Sequence, residues 1–172
     1  MKNWLKLLLF IALAGDISAS EYLYHNLDFE EEPSRLVIDE LDNTGSIGAY
    51  DKKFSGYVCG DDSEYLCFIS ITWQFVIPKN LDAKQSKTWE YEGRKYQLEE
   101  SDYKIVIFGS EYIVDVITAR FNVLNEVRGV QHVYYSKERG IMAIGLRTDE
   151  EDWTNMYFLQ GKCGFGAKDS CK

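Results

Sequence analysis

Apolar and polar residues alternate with a period of two along most of the chain beyond residue 64, and that alternation predicts strands. In "CFISITWQFVI", Cys67, Ile69, Ile71, Trp73, Phe75 and Ile77 fall on one face. Phe68, Ser70, Thr72, Gln74 and Val76 fall on the other. The pattern predicts one central strand over 67–77, ended by Pro78, with Trp73 in the core.

Three hairpins follow. In "WEYEGRKYQL" a two-residue turn at Gly93-Arg94 sets Glu92 opposite Lys95, Tyr91 opposite Tyr96 and Trp89 opposite Leu98. In "YKIVIFGSEYIVDV" a turn at Gly109-Ser110 gathers Tyr103, Ile105, Ile107, Tyr112, Val114 and Val116 on one face and sets Lys104 against Asp115 on the other. In "HVYYSKERGIMAI", Lys137-Glu138-Arg139-Gly140 reads as a type I turn closed by a left-handed glycine.

Elsewhere the pattern is weaker. Residues 21–34 read as an acidic, exposed lead-in that carries His25, and 42–51 as a polar loop with two glycines. "RLVIDEL" suits a strand or a short helix. "FSGYVC" is a short strand, and "ARFNVLNEVRG" is either a continued strand or a helix ending at Gly129. "RTDEEDWTN" is an acidic loop before a last strand in "MYFLQG". The chain is rich in tyrosine, with twelve, and has only two prolines, which favours strands over Pro-rich loops. The expected fold is mainly β: a single antiparallel sheet, meander or barrel-like domain built from hairpins, with at most one short helix, stapled by disulfides.

The first twenty residues change the picture of where the chain works. "MKNWLKLLLFIALAGDISAS" places Lys2 and Lys6 ahead of an apolar run over 7–14, with small residues before Glu21. That is the layout of a secretory signal peptide, with cleavage after Ala19 or Ser20. The apolar run is too short to span a bilayer, which needs about 20 residues. The expected organisation is a signal peptide over 1–20 and one mostly-β domain over 21–172. The product is exported, periplasmic or extracellular, with no stable membrane insertion after cleavage.

Export sets the chemistry of the four cysteines. "CGDDSEYLC" and "CGFGAKDSC" share a Cys-Gly start and the same spacing. An oxidising compartment and an even count favour disulfides, and the simplest pairing is Cys59 with Cys67 and Cys163 with Cys171.

Charge narrows the partners. The whole chain carries a net −9, and −10 once Lys2, Lys6 and Asp16 leave with the leader. Such a charge repels nucleic acid phosphates, so the expected partner is a basic protein or a neutral glycan. Exposed aromatics beside polar loops, Trp89 and Trp153, and the acidic run Asp149, Glu150, Glu151 and Asp152 are the candidate partner-binding residues. "ELDNTGSIGAYD" resembles an EF-hand calcium loop in outline, with Glu40, Asp42, Thr44 and Asp51 as candidate ligands. It departs from that motif in its first and last carboxylates and lacks flanking amphipathic helices.

No nucleophile elbow, phosphate loop or H-E-x-x-H motif occurs. The reading is an exported, non-enzymatic binding domain without cofactor unless calcium occupies the 40–51 loop; an inhibitor or immunity-type protein would be one form. The alternative is a small secreted hydrolase using carboxylates or His132. A concave pocket joining His132 to a carboxylate and a hydroxyl would favour that alternative.

Overall fold

A computed structural model of the chain describes residues 19–171, apart from 27–32, 40, 50–51, 83–86, 124–126 and 150–153. The leader expected over 1–20 lies almost entirely outside the described residues.

The domain is nearly all antiparallel β. Its strands are β1 (Ser20–Asn26), β2 (Ser34–Asp39), β3 (Thr44–Ala49), β4 (Lys52–Val58), β5 (Tyr65–Ser70), β6 (Gln74–Pro78), β7 (Thr88–Tyr91), β8 (Arg94–Ile107), β9 (Ser110–Val123), β10 (Val127–Ser136), β11 (Gly140–Thr148) and β12 (Asn155–Leu159). One 3-10 turn, Asp169–Cys171, is the only helical element among the described residues. The sheet order is β6-β5-β4-β3-β2-β1-β12-β11-β10-β9-β8-β7. The chain is therefore two meanders joined where β1 pairs with β12. Consecutive strands β6 and β7 form the two open edges.

Of the lead-in expected over 21–34, 27–32 lie outside the described residues, and residues 21–26 belong instead to β1, at the centre of the sheet. Tyr24 there is fully buried, donates to the Ile141 carbonyl at 3.0 Å and packs edge-on to Trp73 at 5.8 Å. A single tyrosine anchor and one paired strand on each side outweigh the acidic composition around it. Much of the stretch read as a polar loop is β3, whose small residues fit closely: at Gly45 a Cβ would sit 2.8 Å from the Val37 carbonyl. Of "RLVIDEL", residues 35–39 form strand β2; of "ARFNVLNEVRG", residues 119–123 continue β9 and 127–129 start β10, with 40 and 124–126 outside the described residues.

The strand expected over 67–77 is broken. Ser70 folds the chain back on itself. Its hydroxyl accepts from Thr72 N–H at 3.3 Å and Trp73 N–H at 3.0 Å, and its own N–H donates to the Trp73 carbonyl at 2.9 Å. Ile69 pairs with Gln74, Phe68 with Phe75, and Ile71 at the turn is exposed. A local side-chain-to-backbone turn of this kind is invisible to period-two alternation.

Both two-residue hairpins form, one residue earlier than expected. The turns are Glu92-Gly93 and Phe108-Gly109, with both residues at positive φ (48° and 75°; 47° and 80°), the signature of type I′. Observed pairs are Tyr91–Arg94, Glu90–Lys95 and Trp89–Tyr96 in one, and Ile107–Ser110 and Ile105–Tyr112 in the other. Each pairing slips by two residues, so every side chain keeps its expected face. The charge pairing changes: Lys104 bonds Glu111 at 2.9 Å, while the buried Asp115 meets Lys137 at 3.6 Å. The third hairpin matches expectation, with Ser136 paired to Gly140 at φ 76°.

At Gly109 no neighbouring heavy atom lies within 4 Å of where a Cβ would sit, so backbone conformation alone sets the cost of substitution. Gly109→Val should destabilise the fold by about 1–2 kcal/mol. Gly109→Asn, which tolerates the left-handed region, should cost clearly less. Urea unfolding of the two variants beside the parent measures the difference.

The sheet rolls until its edges overlap. Phe68, Phe75 and Ile77 face the main core with Leu36, Ile141 and Ile144. The opposite face of β5 and β6, Cys67 and Val76, packs on Tyr96 and Ala119 with Trp89 and Tyr91 beside them. Side chains then close the seam. Gln131 of β10 accepts from Gln74 N–H at 3.1 Å and donates to the Gln74 carbonyl at 2.7 Å, standing in for a missing strand. Trp89 Nε1 donates to the Val76 carbonyl at 3.0 Å, and the Tyr57 hydroxyl reaches Glu92 at 2.5 Å. The result is a nearly closed, barrel-like sheet whose edges are covered instead of exposed.

Candidate functional site

The long strands β8 and β9 set out a concavity of about 770 Å3 on the outer face of β7 to β11. Strand alternation turns Leu98, Ile117 and Val133 inward and leaves their neighbours outside. Register then aligns the outward residues in rows across the sheet. Gln97 pairs with Thr118, Thr118 with His132, and His132 with Gly145. In the next row Arg120 pairs with Val130 and Val130 with Arg147. Thr88, Trp89, Glu90 and Lys95 bound the groove on the β7–β8 side.

A bulge completes it. Leu98 pairs with Ile117 and Glu100 with Val116, so Glu99 has no partner on β9. Such an extra residue bends the strand and re-aims a side chain. The Glu99 carboxylate comes to 4.0 Å from His132 Nδ1 on β10. Burial of the imidazole lowers the His132 pKa below its ordinary 6.5; Glu99 pulls it up and Arg147 pushes it down. His132 is therefore neutral at neutral pH, able to donate from one ring nitrogen and accept at the other. Tyr96, under the groove, has its phenol pushed up to about 12, chiefly by burial, so it stays protonated.

Of the residues singled out in the sequence, His132 and Trp89 line this groove. Trp89 is also structural: its ring stacks on Tyr96 with centroids 5.9 Å apart and planes 7° apart, and its N–H is spent on the seam. Asp149 is exposed on the β11 side, its N–H bonded to the Arg128 carbonyl at 2.8 Å; Glu150, Glu151, Asp152 and Trp153 lie outside the described residues. The calcium-like stretch falls on a β-hairpin. Asp39 Oδ1 accepts from Leu41 and Asp42 N–H at 3.1 and 3.3 Å, and Thr44 pairs with Asp39 across the turn. Glu40 and Asp51 lie outside the described residues, and among those described no group of three or more His, Cys, Asp or Glu is placed to hold a metal ion. Both disulfides join the expected partners, Cys59–Cys67 and Cys163–Cys171.

Lys95, Gln97, Glu99, Thr118, Arg120 and Arg147 are the groove residues that sequence reading passes over. Period-two alternation puts most of them on one face, but the rows depend on register across four strands, and Glu99 depends on a bulge. No family model matches the chain, and neither a curated protein nor a solved structure does.

Proposed function

We propose that the protein is an exported, non-enzymatic β domain that binds a glycan in the groove across β7 to β11. The carrying observation is the groove itself: about 770 Å3, within the size range of ligand sites, and lined by hydrogen-bonding side chains from five strands beside an indole. Gln97, Thr118, Glu99 and the neutral His132 offer donors and acceptors suited to hydroxyl groups. The leader layout and two short disulfides, Cys59–Cys67 and Cys163–Cys171, suit an oxidising exported compartment.

A second reading, the small hydrolase, draws on one observation: His132, Glu99 and the Thr118 hydroxyl share this groove. Its weakness is that 4.0 Å between His132 and Glu99 exceeds hydrogen-bond reach, so the carboxylate does not fix the imidazole as a base.

Glycan-array binding by the parent, followed by calorimetry with Gln97→Ala and His132→Ala, tests the proposal. Each variant should lose about tenfold in affinity, the equivalent of one hydrogen bond of about 1.4 kcal/mol. Binding that both variants retain in full would overturn the assignment of the groove. Turnover of the bound sugar, lost in His132→Ala, would establish the hydrolase instead.

A further inference from the structure

Three cations line the groove: Lys95 from β8, Arg120 from β9 and Arg147 from β11. None of them takes part in any of the ion pairs formed among the described residues. In a chain of net charge −9, with 28 acidic residues, three cations without an ion-pair partner among the described residues share one concavity and form a local field opposite to that of the whole. Arg120 and Arg147 flank Val130 on the two neighbouring strands, so their Cα atoms lie about 9–10 Å apart, two inter-strand spacings. Both are exposed, and a guanidinium presents a planar fork that grips a carboxylate or sulfate through two parallel bonds.

The same groove holds Glu90 and Glu99. A dense polyanion would meet repulsion from both. A ligand with hydroxyls as well as anionic groups would satisfy them, because a carboxylate only accepts hydrogen bonds and hydroxyls donate. Acidic peptides and DNA offer few hydroxyl donors in proportion to their charge. His132, neutral between Glu99 and Arg147, adds a further donor or acceptor for a sugar hydroxyl.

We infer that the groove recognises an acidic glycan, with Arg120 and Arg147 holding its anionic groups and Glu90, Glu99 and His132 reading its hydroxyls. This rests on the glycan-binding reading and adds the ligand's charge to it.

The test uses the full exported chain on an array in which each carboxylated or sulfated oligosaccharide is paired with its methyl-esterified or desulfated counterpart, with polyglutamate beside them. The acidic member of at least one pair should bind at least tenfold tighter than its neutral counterpart. Arg120→Gln and Arg147→Gln should each cut that preference about tenfold, by weakening the acidic member more than its neutral counterpart. Added salt should weaken only the acidic member. Whether the preferred glycan is carboxylated or sulfated names the anionic group, and either supports the inference. Equal binding of acidic and neutral members would overturn the charge inference while leaving the glycan reading intact. Binding to no glycan would overturn both. Polyglutamate binding as tight as that of the best glycan would show that charge alone is read, and would overturn it too.

Discussion

Phe165→Ala is expected to lower the free energy of unfolding by about 3–5 kcal/mol, with the urea m-value unchanged. The C-terminal loop, closed by Cys163–Cys171, caps one end of the rolled sheet and drives Phe165 into the core. The ring packs against Phe75 of β6 at 5.7 Å and Tyr22 of β1 at 6.1 Å. The loop is held down by backbone bonds: Ile141 N–H to the Phe165 carbonyl at 3.0 Å, Gly164 N–H to Arg139 at 2.7 Å, and Lys168 N–H to Glu138 at 3.1 Å. With the backbone pinned at three points, the surrounding residues have little freedom to collapse into the space a phenyl ring leaves. That is why the expected cost sits in the range for a rigid cavity. Phe165→Leu, which refills most of the volume, should recover much of the loss. A loss below about 1 kcal/mol for the alanine variant would mean that the loop is not part of the core.

Gln131→Leu tests how the sheet closes, and should cost about 2–4 kcal/mol. Gln131 is buried, and its amide supplies the partners of both backbone polar groups of Gln74 on the edge strand β6. Leucine is close in volume, so the substitution leaves packing nearly unchanged and deprives one donor and one acceptor of the half-buried Gln74 of their partners. Each unsatisfied group costs about 1–3 kcal/mol. Amide exchange at Gln74 should accelerate far more than at Ser46 or Val133, which lie in fully paired strands. Unfolding and exchange at parental values would show that the edge is satisfied in another way.

The sequence carries the architecture well and the closure poorly. Alternation and turn glycines give the β class, the hairpins and the face of each side chain, even where register slips by two, because a two-residue slip preserves faces. Glycine at the second position of a type I′ turn and at the first of a type II′ turn leave the same mark, which is why Glu92-Gly93 and Phe108-Gly109 read one residue late. β1 was hidden because neighbouring carboxylates mask a strand anchored by Tyr24, and the β5–β6 break because one serine hydroxyl makes the turn. Gln131 gives no sequence signal: a polar residue on an inward position becomes meaningful only when β6 arrives beside it. The groove was half legible. His132 and Trp89 stand out by residue type, whereas Arg120 and Arg147 come near each other only through two antiparallel registers. Net charge, summed over the chain, holds no record of that clustering.

The central claim, that the outer face of β7 to β11 is the ligand site, is tested most directly by mapping backbone amide chemical shifts while the best-binding oligosaccharide is titrated into the labelled protein. The account predicts that the largest shifts fall on Gln97, Thr118, Val130, His132 and Arg147, saturate together, and need about tenfold more ligand to saturate in Arg147→Gln. Saturating shifts confined to the exposed β8–β9 tip around Phe108, or to the neighbourhood of Asp149, with the groove amides unmoved, would contradict it.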